Sequence, residues 1–118
     1  MAYDLYGEKP TADEGTHFRM TVFAWPEFVH VLLKFASEEC NPCKEWYGEN
    51  CYGRGLDAGQ ALRLAEKLRS HIVDETVLDY ISEVVQEQER KCDEAWISQG
   101  DLHDFVAFLK VCGGFEIT

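Results

Sequence analysis

Apolar positions recur at helical spacing along much of the chain and predict four helices. Proline suits a first helical turn, so Trp25-Pro26 marks the first start, and Phe28, Val29, Leu32, Leu33 and Ala36 then follow at helical intervals, ending before Cys40. A second helix is predicted from about residue 58 to 72, because Asp57 and Gln60 have the spacing of a capping box and Ala61, Ala65, Leu68 and Ile72 form a stripe. Asp74 can cap a third, long and polar helix, with Val77, Ile81, Val84 or Val85, Gln88, Cys92 and Ala95 on one side. Gly100 is expected to break that helix and Asp101 to begin a fourth, which buries Leu102, Phe105, Val106, Leu109 and Cys112 and is capped by Gly113-Gly114.

The remainder reads differently. Residues 1–21 are punctuated by Gly7, Pro10 and Gly15 and read as loop with short extended pieces at Tyr3 to Tyr6 and His17 to Thr21. Phe115-Glu116-Ile117-Thr118 alternates like a strand that could pair with Tyr3 to Tyr6. Asn41-Pro42, Gly48, Gly53 and Gly55 make residues 40–56 a loop. The expected fold is mainly α: one domain, residues 1–118, of about four helices, with a small two-stranded β element from the N- and C-terminal segments.

Charge narrows the partners. Asp and Glu number 22 against 11 Lys and Arg, a formal net charge of -11. That excess argues against a non-specific grip on nucleic-acid phosphates or anionic membranes and favours a basic or uncharged protein partner. A sharper version has a carboxylate-rich face mimicking nucleic acid. The N-terminus has no basic start and no apolar run, and nothing approaches the about 18 continuous apolar residues of a spanning helix, so a soluble cytoplasmic protein is expected. Five cysteines in such a chain read as thiols or metal ligands more readily than as a disulfide framework.

Three of those cysteines carry the candidate chemistry. Val31 to Lys44, ending in Cys40-Asn41-Pro42-Cys43-Lys44, looks like the strand and redox turn of the thioredoxin family, in which the first thiolate attacks a disulfide and the second resolves the mixed intermediate. The context opposes it: there is no proline after Pro42 to face the redox pair, and helical segments rather than alternating strands follow. A thiol-disulfide protein or sensor using Cys40 and Cys43 is the alternative function. The same two-residue gap lets Cys40 and Cys43 reach one tetrahedral zinc, with Cys51 as a third ligand. Cys92 or one of His17, His30, His71 and His103 could complete that site only through tertiary folding, which gives a zinc-stabilised interaction module as the second alternative. Against both stands the ordinary reading of cysteine as a small apolar side chain, which suits Cys92 and Cys112 on their helix faces.

Other signals are weaker. No two histidines have the i, i+4 spacing of a helical metal pair. Gly53-Arg54-Gly55 resembles part of a phosphate-binding turn, but a tight turn into the second helix accounts for it. Glu38-Glu39, Glu45 with Glu49, and Glu83 with Glu87 read as solvated carboxylates. Trp25, Trp46 and Trp96 read mainly as core, an exposed subset would mark an interface, and Trp46-Tyr47 in the cysteine loop is the best candidate contact surface.

The whole chain also resembles an uncharacterised family of small bacterial and bacteriophage proteins. The resemblance is carried by Asp4-Leu5-Tyr6-Gly7, Pro10-Thr11, Gly15, Phe18-Arg19, Trp25-Pro26, Gly55-Leu56-Asp57, Phe105 to Leu109, and Cys112-Gly113-Gly114-Phe115-Glu116-Ile117. Many members of that family carry a cysteine-rich insert between the third and fourth helices, where this chain has only Cys92. The resemblance implies a fold and a phage-associated setting and transfers no activity. The resulting expectation is a small acidic, non-enzymatic binding or regulatory protein acting through protein contacts, with no cofactor unless the cysteines hold zinc.

Overall fold

Alternating side chains at the two chain ends build a sheet, and the periodic segments between them supply helices for one of its faces. The computed structural model describes residues 2–36, 38–39, 46, 53–92 and 96–118. Strand β1 (Ala2–Gly7) is followed by a 3-10 turn (Asp13–Gly15), β2 (His17–Thr21) and helix α1 (Ala24–Ala36). Strand β3 (Gly55–Asp57) leads into α2 (Ala58–Val73), and α3 (Thr76–Cys92), α4 (Gln99–Val111) and β4 (Gly114–Ile117) complete the order.

The sheet is antiparallel with strand order β2-β1-β4-β3. The expected pairing of the end segments is present, with Leu5 opposite Ile117 and Tyr6 opposite Glu116. The sheet is twice as wide as the two-stranded element expected from sequence, because β2 adds to β1, with Leu5 opposite Phe18, and β3 adds to β4, with Leu56 opposite Phe115. The Gly53-Arg54-Gly55 segment is therefore the approach to an edge strand and not simply a turn into a helix. Gly53 N–H donates to the Ile117 carbonyl at 2.8 Å, and Ile117 N–H donates to the Arg54 carbonyl at 2.8 Å.

Side chains alternate across this sheet. Leu5, Phe18, Met20, Leu56, Phe115 and Ile117 are buried against the helices. Tyr6, His17, Arg19 and Glu116 are exposed on the opposite face, with Asp4 half-buried among them. There Asp4 Oδ1 meets His17 Nε2 at 2.7 Å and Arg19 Nε at 3.8 Å, while the Tyr6 ring stacks on His17 at 4.8 Å. These are cross-strand pairs of the kind that hold register.

Helix boundaries follow their caps. Thr21 Oγ1 accepts from Ala24 N–H at 3.1 Å and so opens α1, which places Pro26 in the first turn. The capping box at Asp57 and Gln60 forms as the spacing predicts, with Asp57 Oδ1 accepting from Gln60 N–H at 2.8 Å. Asp74 Oδ1 accepts from both Thr76 N–H, at 3.1 Å, and Thr76 Oγ1, at 2.7 Å, at the head of α3, and these bonds hold its carboxyl below its ordinary pKa.

Gly100 does not stand between two helices. It lies within the first turn of α4, which starts at Gln99 under a second capping box formed by Ser98 and Asp101. Ser98→Ala removes the acceptor for Asp101 N–H and is expected to lower unfolding free energy by about 1 kcal/mol, read as a lower urea midpoint at unchanged slope. An unchanged midpoint would show that this cap does not set the helix start.

The far end of α4 is closed by the chain's own N-terminal loop. Gly113 takes the left-handed conformation that ends a helix (φ +66). Thr11 N–H donates to the Val111 carbonyl at 2.8 Å, Lys9 N–H to the Cys112 carbonyl at 3.1 Å, and Glu8 N–H to the Gly114 carbonyl at 2.8 Å. Lys9 and Thr11 thereby satisfy carbonyls that the helix end leaves without partners, while Glu8 bonds the first residue of β4.

Aromatic rings fill the centre. Trp25 stacks on Trp46 with centroids 6.1 Å apart and planes inclined by 10°, and its Nε1–H donates to the Trp46 carbonyl at 2.6 Å. Phe28 and Phe105 meet edge to face at 5.2 Å, and Phe115 meets Trp46 in the same manner at 5.2 Å.

Candidate functional site

Residues with candidate chemistry divide between those the core absorbs and those it leaves outside. Trp46 belongs to the first group and corrects the expectation that it forms a contact surface: it is fully buried between Trp25 and Phe115. Its neighbour Tyr47, and the cysteines Cys40, Cys43 and Cys51 on which the redox and zinc readings rest, lie outside the described residues. Cys92 closes α3, and its side chain is likewise outside the description. Val31 to Ala36, the strand portion of the thioredoxin-like stretch, forms the last turns of α1.

Cys112 is buried, as its place on an apolar stripe predicts, and its Sγ–H contacts the Leu109 carbonyl at 3.6 Å. Burial pushes its thiol above the ordinary range, which keeps it protonated and unreactive at neutral pH. The histidines sit apart. His17 is on the open sheet face, and His71 Nδ1 lies 3.0 Å from Thr76 Oγ1 where α2 meets α3. His30 is on α1 and His103 on α4. Among the described residues no group of three or more His, Cys, Asp or Glu side chains converges to hold a metal. Glu83 and Glu87 are exposed on α3, and Glu45 and Glu49 lie outside the description. No helix among the described residues is long and apolar enough to cross a membrane.

Among the described residues, two exposed aromatics, Phe23 and Trp96, meet each other away from the sheet face that carries the exposed Tyr6. Phe23 occupies the tight turn between β2 and α1, immediately before the helix that Thr21 caps, and is 66% exposed. Trp96 precedes α4 and is 42% exposed, while the next residue, Ile97, is buried. Trp96 N–H donates to Gln88 Oε1 at 2.9 Å, which ties the segment back to α3. The two rings lie 6.0 Å apart with planes inclined by 37°. Residues distant in sequence are thus brought to one aromatic patch at the starts of α1 and α4.

Large aromatics left in water in this way are the side chains that protein interfaces enrich. A faint sequence signal existed for each. Phe23 lies just ahead of the α1 stripe, and Trp96 falls between the periodic runs of α3 and α4, so neither is claimed by a helix's buried side. No protein-family model, curated protein or solved structure matches this chain.

Proposed function

We propose that this chain is a small acidic binding protein that acts through protein contacts, with the Phe23–Trp96 pair at the centre of its contact surface. The observation that carries the reading is that pair: two large rings, in contact with each other and open to solvent, on a molecule whose other described tryptophans are fully buried. Burying both rings in a partner's pocket would remove apolar surface from water without any rearrangement of the fold. The net charge of -11 adds long-range attraction toward a basic partner. The resemblance of both chain ends to small bacterial and bacteriophage proteins favours a phage-associated role.

The reading is tested by placing a photo-crosslinking phenylalanine analogue at position 23 or, as a control, at Leu62, which is exposed on α2. A discrete protein adduct from position 23 is expected in extracts of cells that make the protein, none from position 62, and loss of the adduct when Trp96→Ser is added. The substitutions are at exposed positions and should change stability by no more than about 0.5 kcal/mol. Equal adducts from both positions, or an adduct indifferent to Trp96, would rule out this surface.

A further inference from the structure

A second surface, sharing no residue with the aromatic pair, differs from the rest of the molecule in charge. Between α2 and α4 lies a groove of about 380 Å³. Arg69 from α2 and His103 and Lys110 from α4 stand around it, over an apolar floor that includes Ile72 and Val106. In a chain with twice as many acids as bases, three basic side chains meet at one groove, and among the described residues none of the three makes an ion pair. Lys110 sits in the last turn of α4, where the helix dipole favours a cation, but Arg69 and His103 stand outside the last turns of their helices and have no such account. One carboxylate, Glu14 of the 3-10 turn, also lines the groove.

We infer that this groove binds a small organic anion with an apolar body, an aryl or short acyl carboxylate. Its volume falls within the range of about 300–1,000 Å³ typical of small-molecule sites. The floor accepts a ring or alkyl chain, and Arg69, His103 and Lys110 supply donors for the acid group. Glu14 opposes the bound charge and sets the affinity from the other side.

The test is an amide-resolved NMR titration with 4-phenylbutyrate, its neutral counterpart 4-phenylbutanol, and acetate. Saturable shifts for phenylbutyrate are expected at residues 69–72 and 103–111, with clearly weaker binding of the alcohol and no saturation by acetate. Single removal of an exposed charge should change affinity by about 2–5-fold, and Arg69→Gln with Lys110→Gln should lower it by about tenfold. Glu14→Gln should raise it. All three positions are exposed, and unchanged spectra away from the groove verify that the variants fold.

The proposal is overturned by absence of saturable shifts, by shifts centred on Phe23 and Trp96, or by equal binding of acid and alcohol. It is equally overturned if acetate saturates the same amides, which would show a charged surface only, or if the double variant retains wild-type affinity.

Discussion

Trp25→Ala is expected to lower the unfolding free energy by about 3–5 kcal/mol. Trp25 is fully buried and its ring touches those of Tyr3, Phe28, Trp46 and Phe105, so truncation opens a cavity that no single neighbour can fill. The substitution also removes the donor to the Trp46 carbonyl. Trp25→Phe separates the two contributions, since it keeps most of the apolar body and loses the hydrogen bond, and should cost about 1–3 kcal/mol. Urea unfolding of both variants gives the comparison. If the alanine variant were no less stable than the phenylalanine variant, Trp25 could not hold the central position described for it.

Gly15→Ala is the second large effect, and it arises from backbone instead of side chains. A Cβ on Gly15 would run into the Val111 carbonyl, and one on Gly7 would run into the Gly15 carbonyl, with the Cys112 carbonyl 2.9 Å away. The end of β1, the 3-10 turn and the last turn of α4 therefore approach as closely as unsubstituted backbone allows. Because every obstacle is backbone, relief requires moving a helix end or a strand, and the loss should be about 3 kcal/mol or more.

Gly59→Ala provides the contrast. Its Cβ would meet only ordinary contacts, 3.5 Å from Asp57 Oδ1 and 3.7 Å from the Arg63 guanidinium, in the first turn of α2. There the substitution should stabilise by about 0.5–1 kcal/mol through the unfolded chain. A Gly15→Ala midpoint no lower than that of the unsubstituted protein would refute the close approach at Gly15.

The parts of this fold that were legible in sequence are those whose signal is local. The capping box at Asp57 and Gln60, the stripe through Ala61, Ala65 and Leu68, and the glycine after α4 each act within a few residues of themselves. The pairing of the chain ends was legible because Leu5 and Ile117 lie in segments that alternate. Strand β3 was not, since Gly55–Asp57 turns one side chain, Leu56, inward and exists only because β4 offers an edge to pair with. Gly100 misled because a glycine in the first turn of a helix is indistinguishable in composition from one between helices; the Ser98 cap two residues earlier decides the matter.

The candidate site was less legible still. Trp46 stands in a stretch rich in helix breakers, where an aromatic reads as surface, yet it is drawn inward by Trp25, a partner 21 residues away. The exposure of Phe23 and Trp96 depends on the converse: the core is already filled by other rings, and two aromatics from separate junctions are left outside together. Such outcomes are set by which residues win a shared space, and no local window reports that competition.

The sheet order has a bearing on how the chain comes to be folded during its synthesis. Strand β4 lies between β1 and β3, so the segment made after all four helices must enter the interior of the sheet. The β1–β2 hairpin can pair early, but β3 has no neighbour until residues 114–117 have left the ribosome. Until then the emerging chain presents the β4-facing edges of β1 and β3 unpaired, the kind of edge that promotes aggregation. Completion of this domain therefore waits for residues 114–117, with local helix formation preceding the long-range strand insertion that fixes the structure.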